Sequence, residues 1–487
     1  MPDKSGSSQG ADSEDIRKIE TRVRGLDEIL HGGLPAGRTT IISGGPGAGK
    51  TVLAMETMCR GASEAEPWVF VGFEESAEQL RANAASTGMD VAALERDGKL
   101  RIISAQIPHK AVRSGDFDIH GLLAVLEGHC RQLGATRVVL DGIDVLMRIF
   151  ANPQREREEL YKLHDWLTDH HMTSILTVKA QSSECRPYPF LDYMGDCVLS
   201  LDQRTSNQVR TWRLQVKKYR GSSFLANEHP YVITSRGIVL MPVSLTALTS
   251  RARDACVSTG NEQFDAILNG GYGEGTSILI AGPSGVGKTA LTSTFAASAA
   301  RNGRKVLYVS FEESAAGLVA EGTAIGLDLQ GSVDDGAVSI LDVMPESTGV
   351  EAHLLSILVS LDEYKPDHLV VDPVSAVERM GSPRAGFDLL VRLLAVCKAR
   401  GITCLLTRQA TESDPIEQVC SSPEASLVDC FLSLRYEDDG RRLRRKLVVV
   451  KARGRTHSMD HYEFRITAEG LRFDGAPGAE AAEGAER

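Results

Sequence analysis

The chain has 487 residues, 42% of them hydrophobic and 24% charged, and carries a formal net charge of −11. That length exceeds what one hydrophobic core ordinarily organises and calls for two or three domains, while no apolar run is long enough to cross a bilayer. The acidic balance gives no support to broad nucleic-acid binding, which depends on neutralising phosphates with Lys and Arg.

Residues 1–17, beginning MPDKSGSSQGADSED, are polar and lack the apolar centre of a secretory signal, so they read as a disordered tail on a cytoplasmic protein. The first periodic stretch is LDEILHGGLPAGRTTIISGGPGAGKT, residues 26–51. Its end, Gly44, Gly45, Pro46, Gly47, Ala48, Gly49, Lys50 and Thr51, satisfies GxxxxGK[ST] between a predicted strand, TTIIS, and a predicted helix. Glycines at these positions let successive backbone N–H groups turn inward around phosphate oxygens, and the following helix aims its positive end at the same anion. Lys50 would contact the β and γ phosphates and Thr51 would ligate Mg²⁺.

Further along, WVFVGF, RVVLD and SILTV read as buried strands spaced by helices, the pattern of a mostly parallel sheet covered on both faces. Glu74 and Glu75 follow the first of these runs, where a carboxylate can take a proton from a nucleophile, or can be simply a solvated loop charge. Asp141 ends RVVLD, the position of a Mg²⁺-holding carboxylate, or of a helix cap. Lys218 and Arg220 alternate late in the half, either reaching a phosphate together or marking an exposed strand edge.

The same series then recurs. FDAILNGGYGEGTSILIAGPSGVGKT, residues 264–289, registers on residues 26–51 without a gap, at an offset of 288 − 50 = 238 residues. Gly282, Pro283, Ser284, Gly285, Val286, Gly287, Lys288 and Thr289 form the second phosphate loop, and the same offset carries Glu74 and Glu75 onto Glu312 and Glu313. Asp372 ends HLVVD, and Lys451 and Arg453 repeat the late pair. A repeat this long is a duplicated domain, each copy a doubly wound α/β unit with ligands at the carboxyl ends of its strands. The join falls within residues 241–260, giving domains 18–242 and 243–473, and 474–487 is a second solvated tail. The densest basic run, RRLRRK at 441–446, follows a hairpin-like turn and reads as a charged, exposed sheet edge. Nine cysteines lack metal-ligand spacing and read as reduced thiols.

Together these motifs resemble the KaiC family, double-domain members of the RecA-like P-loop ATPases, over about residues 18 to 473. The resemblance implies a homohexamer of two stacked rings with ATP at each subunit boundary. It implies that Glu74 and Glu312 are catalytic bases and that Lys218, Arg220, Lys451 and Arg453 reach the neighbouring subunit's γ-phosphate, against the strand-edge reading. It further implies that the first ring mainly hydrolyses ATP while the second is a serine/threonine autokinase. Placing VDCFLSLRY, residues 428–436, on the family's corresponding strand puts Ala425 and Ser426 at its two acceptor positions. Only Ser426 retains a hydroxyl, so one phosphorylation is expected where the family has two. Pro373 follows Asp372 where the family favours a small hydroxyl residue, and the short acidic tail argues against control by KaiA; a KaiB-like partner stays open. A RecA-like DNA-binding ATPase and an ATP-glued scaffold are the competing readings, and Cys420, Ser421 and Ser422 leave room for another acceptor.

Overall fold

A computed structural model describes residues 16–64, 66–105, 119–149, 152–180, 189–206, 209–241, 255–378, 383–410 and 423–475. Most of both expected tails, much of the join and residues 420–422 lie outside this set. The chain divides into two compact units, changing over between Ser244 and Leu245, with the short run Ser206–Val209 grouped with the second.

In the first unit one sheet of nine strands runs in the order Gly237–Leu240, Glu228–Thr234, Val209–Tyr219, Cys197–Ser206, Thr39–Gly44, Thr173–Lys179, Arg137–Asp141, Trp68–Gly72, Leu100–Ser104. The pairs from Cys197–Ser206 to Leu100–Ser104 are parallel, and the outer hairpin is antiparallel. The second unit repeats this order, from Val338–Asp342 through Val306–Ser310, His368–Asp372, Thr403–Gln409, Ser277–Gly282, Cys430–Asp438, Leu443–Ala452 and Tyr462–Thr467 to Gly470–Asp474. These are tandem RecA-like α/β domains. Strands such as Trp68–Gly72 and His368–Asp372 are buried at every residue because helices cover both faces, which is why they read as unbroken apolar runs.

The topology places Thr39–Gly44 and Ser277–Gly282 centrally, each feeding a long helix, Lys50–Ala62 and Lys288–Arg301. Apolar packing clamps each loop from behind. A Cβ on Gly49 would lie 2.7 Å from Ile233, and the Tyr231 hydroxyl donates to the Ala48 carbonyl.

Two local expectations are corrected. The basic run 441–446 enters a strand interior to the sheet: Arg445 and Lys446 pair with Tyr436 and Arg435 on one side and with Phe464 and Glu463 on the other. Its cations are partnered by acids, Arg444 with Asp439 and Glu463, Lys446 with Glu437. Of the two late cation pairs, only Lys218 and Lys451 lie in strands; Arg220 and Arg453 stand in the turns that follow. Ser426 belongs to a short helix, Pro423–Leu427. The cysteines among the described residues are free thiols.

Candidate nucleotide sites

Each phosphate loop ends on a glycine in the left-handed region, Gly49 at φ 81° and Gly287 at φ 111°, a conformation that costs other residues steric strain. Neither helix that starts there has a side-chain cap. Its first N–H groups are therefore free to bind an anion, and the helix dipole favours negative charge at that end. The lysines fold back over their loops. Lys50 Nζ donates to the Gly45 carbonyl at 3.0 Å, and Lys288 Nζ donates to the Gly282 and Pro283 carbonyls at 2.9 and 2.7 Å. Burial lowers both ammonium pKa values. Asp141, Asp144 and Glu74 oppose that shift at Lys50, and Asp372 and Glu312 oppose it at Lys288.

Both strand-end carboxylates meet the hydroxyl that follows the lysine. Thr51 Oγ1 lies 3.1 and 3.0 Å from the Asp141 oxygens, and Thr289 Oγ1 donates to Asp372 Oδ2 at 2.8 Å. A second threonine hydroxyl holds each carboxylate in place: Thr177 donates to Asp141 Oδ1 at 2.6 Å, and Thr407 donates to Asp372 Oδ1. Burial pushes the Asp141 carboxyl up, opposed by these hydroxyl bonds. One hydroxyl and one carboxylate beside a phosphate cradle form a hard oxygen set that suits Mg²⁺, which keeps several waters and takes the rest from phosphates. The residues fit that ion.

Backbone bonds bring the paired glutamates to the same place. Phe73 N–H donates to the Asp141 carbonyl at 3.1 Å and Phe311 N–H to the Asp372 carbonyl at 2.9 Å, so Glu74, Glu75, Glu312 and Glu313 emerge beside the carboxylates. In the second unit these groups converge on a cleft of about 490 Å³, lined by Ser284, Gly285, Gly287, Lys288, Thr289, Glu312, Glu313 and Asp372. Gly282, Pro283 and Val286 are not in the lining, and Val286 is buried in the core.

The cleft also contains a residue the motif reading missed, Glu321. Burial, then the charges of Glu313 and Asp372, raise its carboxyl pKa. The repeat offset aligns Glu321 with Asn83, whose amide donates to Glu75 at 2.8 Å, so comparing the copies position by position would have exposed it.

Lys451, Arg453 and Ser426 do not line this cleft. They form their own cluster. Lys451 Nζ donates to the Ala425 carbonyl and Arg453 Nη2 to the Ser426 carbonyl, both at 2.9 Å, while the exposed Ser426 hydroxyl donates to the Pro423 carbonyl at 2.6 Å. Arg220 and Arg453 sit alike, 3.8 Å from Asp196 and 3.9 Å from Asp429. Lys218 lies in the strand Val209–Tyr219.

A family model described as "ATPase: KaiC" matches residues 19–244 and again 257–476. The chain belongs to the KaiC family of ATPases. Circadian clock protein KaiC2 of Synechocystis is 33% identical over 472 residues, 95% of this chain and 82% of that protein. Circadian clock protein KaiC3 of the same organism is 29% identical, covering 94% and 92%. The circadian clock oscillator protein KaiC of Acaryochloris marina is 31% identical, covering 94% and 88%. KaiC membership assigns ATP binding and hydrolysis to the paired P-loop domains. No helix among the described residues is long and apolar enough to cross a membrane.

Proposed function

We propose that this KaiC-family chain is a Mg²⁺-dependent ATPase and serine autokinase that works as a homohexamer in a timing or signalling role. The observation that carries the reading is the separation of two clusters in the second unit. Lys288, Thr289, Asp372 and Glu312 form a complete phosphoryl-transfer site, whereas Ser426, Lys451 and Arg453 stand together outside that cleft. Transfer between subunits brings one cluster to the other.

In the first domain Glu74 accepts a proton from water as its oxygen attacks the γ-phosphorus. The bond to the β-γ bridging oxygen breaks, giving ADP and phosphate. Lys50, with Lys218 and Arg220 from the neighbour, stabilises the charge that gathers on the equatorial and leaving oxygens. In the second domain Glu312 takes the proton of Ser426 Oγ from the adjacent subunit; the Oγ–P bond forms, the P–O bond to ADP breaks, and ADP leaves. Thr51 with Asp141, and Thr289 with Asp372, would hold Mg²⁺, which would supply positive charge against that of the phosphates. One geometry serves water or serine because phosphoryl transfer needs mainly positioning and charge stabilisation. The curated relatives' clock names, together with KaiC membership, support the timing role.

Mass spectrometry after incubation with ATP and Mg²⁺ tests this reading. Phosphate is expected on Ser426 in the parent, and on neither Ser426→Ala nor Glu312→Gln alone. Mixing those two variants should restore phosphate on the Glu312→Gln subunits if transfer is between subunits. Phosphate confined to other residues refutes the acceptor, and its absence throughout leaves an ATP-glued scaffold.

A further inference from the structure

The two carboxylates that end Arg137–Asp141 and His368–Asp372 differ in one donor. In the second unit the Tyr308 hydroxyl lies 2.9 Å from Asp372 Oδ2 and 2.9 Å from Thr292 Oγ1. The side chain is fully enclosed. An ionised carboxylate only accepts, so Tyr308 donates to Asp372 and accepts from Thr292. Thr292 Oγ1 also lies 3.0 Å from the Thr289 carbonyl in the first turn of the phosphate-loop helix, a second acceptor for its single proton. The repeat offset places Phe70 and Ala54 at the equivalent positions of the first unit, and neither has a hydroxyl. Among the described residues Asp141 therefore accepts side-chain hydrogen bonds from Thr51 and Thr177 alone.

Two effects of such a donor compete. It can orient the carboxylate, or it can withdraw charge from the oxygen that would face a cation. Orientation is already supplied by a threonine at the end of the adjacent strand, Thr177 in one unit and Thr407 in the other. Asp141 keeps its place without a tyrosine, so the extra donor in the second unit acts mainly on charge. Once Thr289 turns its oxygen to a cation, Asp372 Oδ2 still carries the Tyr308 bond, whereas Asp141 Oδ2 is left without a side-chain donor.

We infer that Tyr308 is a positioning residue acting through Asp372, and that it sets the second domain's hold on Mg²⁺-nucleotide below the first's. The inference rests on the assignment of Asp372 as a metal-side carboxylate. It gives the two domains different divalent-cation requirements although both phosphate loops satisfy GxxxxGKT.

The test uses the full chain and a fluorescent ATP analogue, with Lys50→Ala silencing the first site. The Mg²⁺ concentration giving half-maximal analogue binding is measured with Tyr308 and with Tyr308→Phe. The substitution should lower it roughly three- to tenfold, the worth of one hydrogen bond, while analogue affinity in EDTA stays within about twofold. An unchanged or raised Mg²⁺ requirement overturns the inference, because it would mean that the hydroxyl orients Asp372 or does nothing. If neither protein shows Mg²⁺ dependence, the metal assignment of Asp372 falls and this inference falls with it. Should Tyr308→Phe not fold, Phe70→Tyr with Ala54→Thr in a Lys288→Ala background reads the same quantity with opposite sign. A first site whose Mg²⁺ requirement does not rise then overturns the inference.

Discussion

Glu56 is a buried carboxylate on the phosphate-loop helix of the first domain, 1% exposed. It accepts from Ile238 N–H at 2.6 Å and from Arg60 Nε at 2.8 Å, fastening the outer hairpin to the helix. That hairpin also carries Ile233 and Ile238, which back Gly49. Glu56→Ala leaves the Ile238 N–H buried without its partner, worth ~1–3 kcal/mol, whereas Arg60 is exposed enough to regain water and adds little. The expected loss is about 2 kcal/mol, which at a urea slope near 3 kcal/mol/M lowers the midpoint by roughly 0.7 M. All three tryptophans, Trp68, Trp166 and Trp212, lie in the first unit, so their fluorescence follows its unfolding alone. A midpoint shift below about 0.2 M would refute the anchoring role, since it falls beneath the smallest cost of an orphaned buried donor. The pH dependence supplies a second readout. Burial raises the Glu56 pKa above its ordinary value, outweighing the bonds from Ile238 and Arg60. The folded state then holds this proton to higher pH than the unfolded chain does. The stability it contributes is complete below the unfolded pKa and is lost as pH rises through the folded pKa. Glu56→Gln should flatten that part of the first unit's pH profile upward of the ordinary carboxylate range.

Other outcomes follow from the same geometry. Thr177→Val removes a donor to Asp141 and the acceptor of Gly142 N–H, and should lower the first domain's ATP turnover about tenfold in a steady-state assay with Lys288→Ala present. Glu321→Asn gives the second cleft the amide found at Asn83; relief of like charge near the phosphates should tighten ATP-analogue binding several-fold by fluorescence titration. Arg453→Ala frees the Ser426 carbonyl, and hydrogen exchange of the amides in Pro423–Leu427 should rise about tenfold, an opening worth about 1.4 kcal/mol.

The duplication, the phosphate loops and the strand-end carboxylates were legible in the sequence because each is a local pattern. Buried parallel strands are unbroken apolar runs, and a GxxxxGKT loop needs its glycines wherever it occurs. The strand-interior position of residues 443–446 was not legible. Its cations resemble an edge, and only the long-range pairing with Tyr462–Thr467 places them inside the sheet, with Asp439, Glu437 and Glu463 absorbing the charge. Arg453 falls beyond its strand because the strand ends at Ala452, opposite Cys430, so alternation from Lys451 does not reach it. Tyr308 and Glu321 stood in the sequence as an ordinary strand residue and an ordinary helix residue. Their part in the site comes from a fold that brings three strands and two helices around Asp372.

What separates the two nucleotide sites is placed where substitution can act. Loops of this kind cradle phosphate through backbone N–H groups, and a side chain added at Gly44 or Gly282 would sit 2.7 Å from the Leu201 or Leu434 carbonyl. Such positions admit almost no graded change; they work or they fail. The surroundings of Asp141 and Asp372 are built from side chains instead, so a single replacement adds or removes one donor or one charge while the loop stays intact. The differences fall there: Phe70 against Tyr308, Asn83 against Glu321, and Gly142 against Pro373 after the carboxylate. A duplicated ATPase can thus keep one phosphate-binding geometry and still assign its copies different metal and proton chemistry, because backbone fixes the first and a few side chains tune the second.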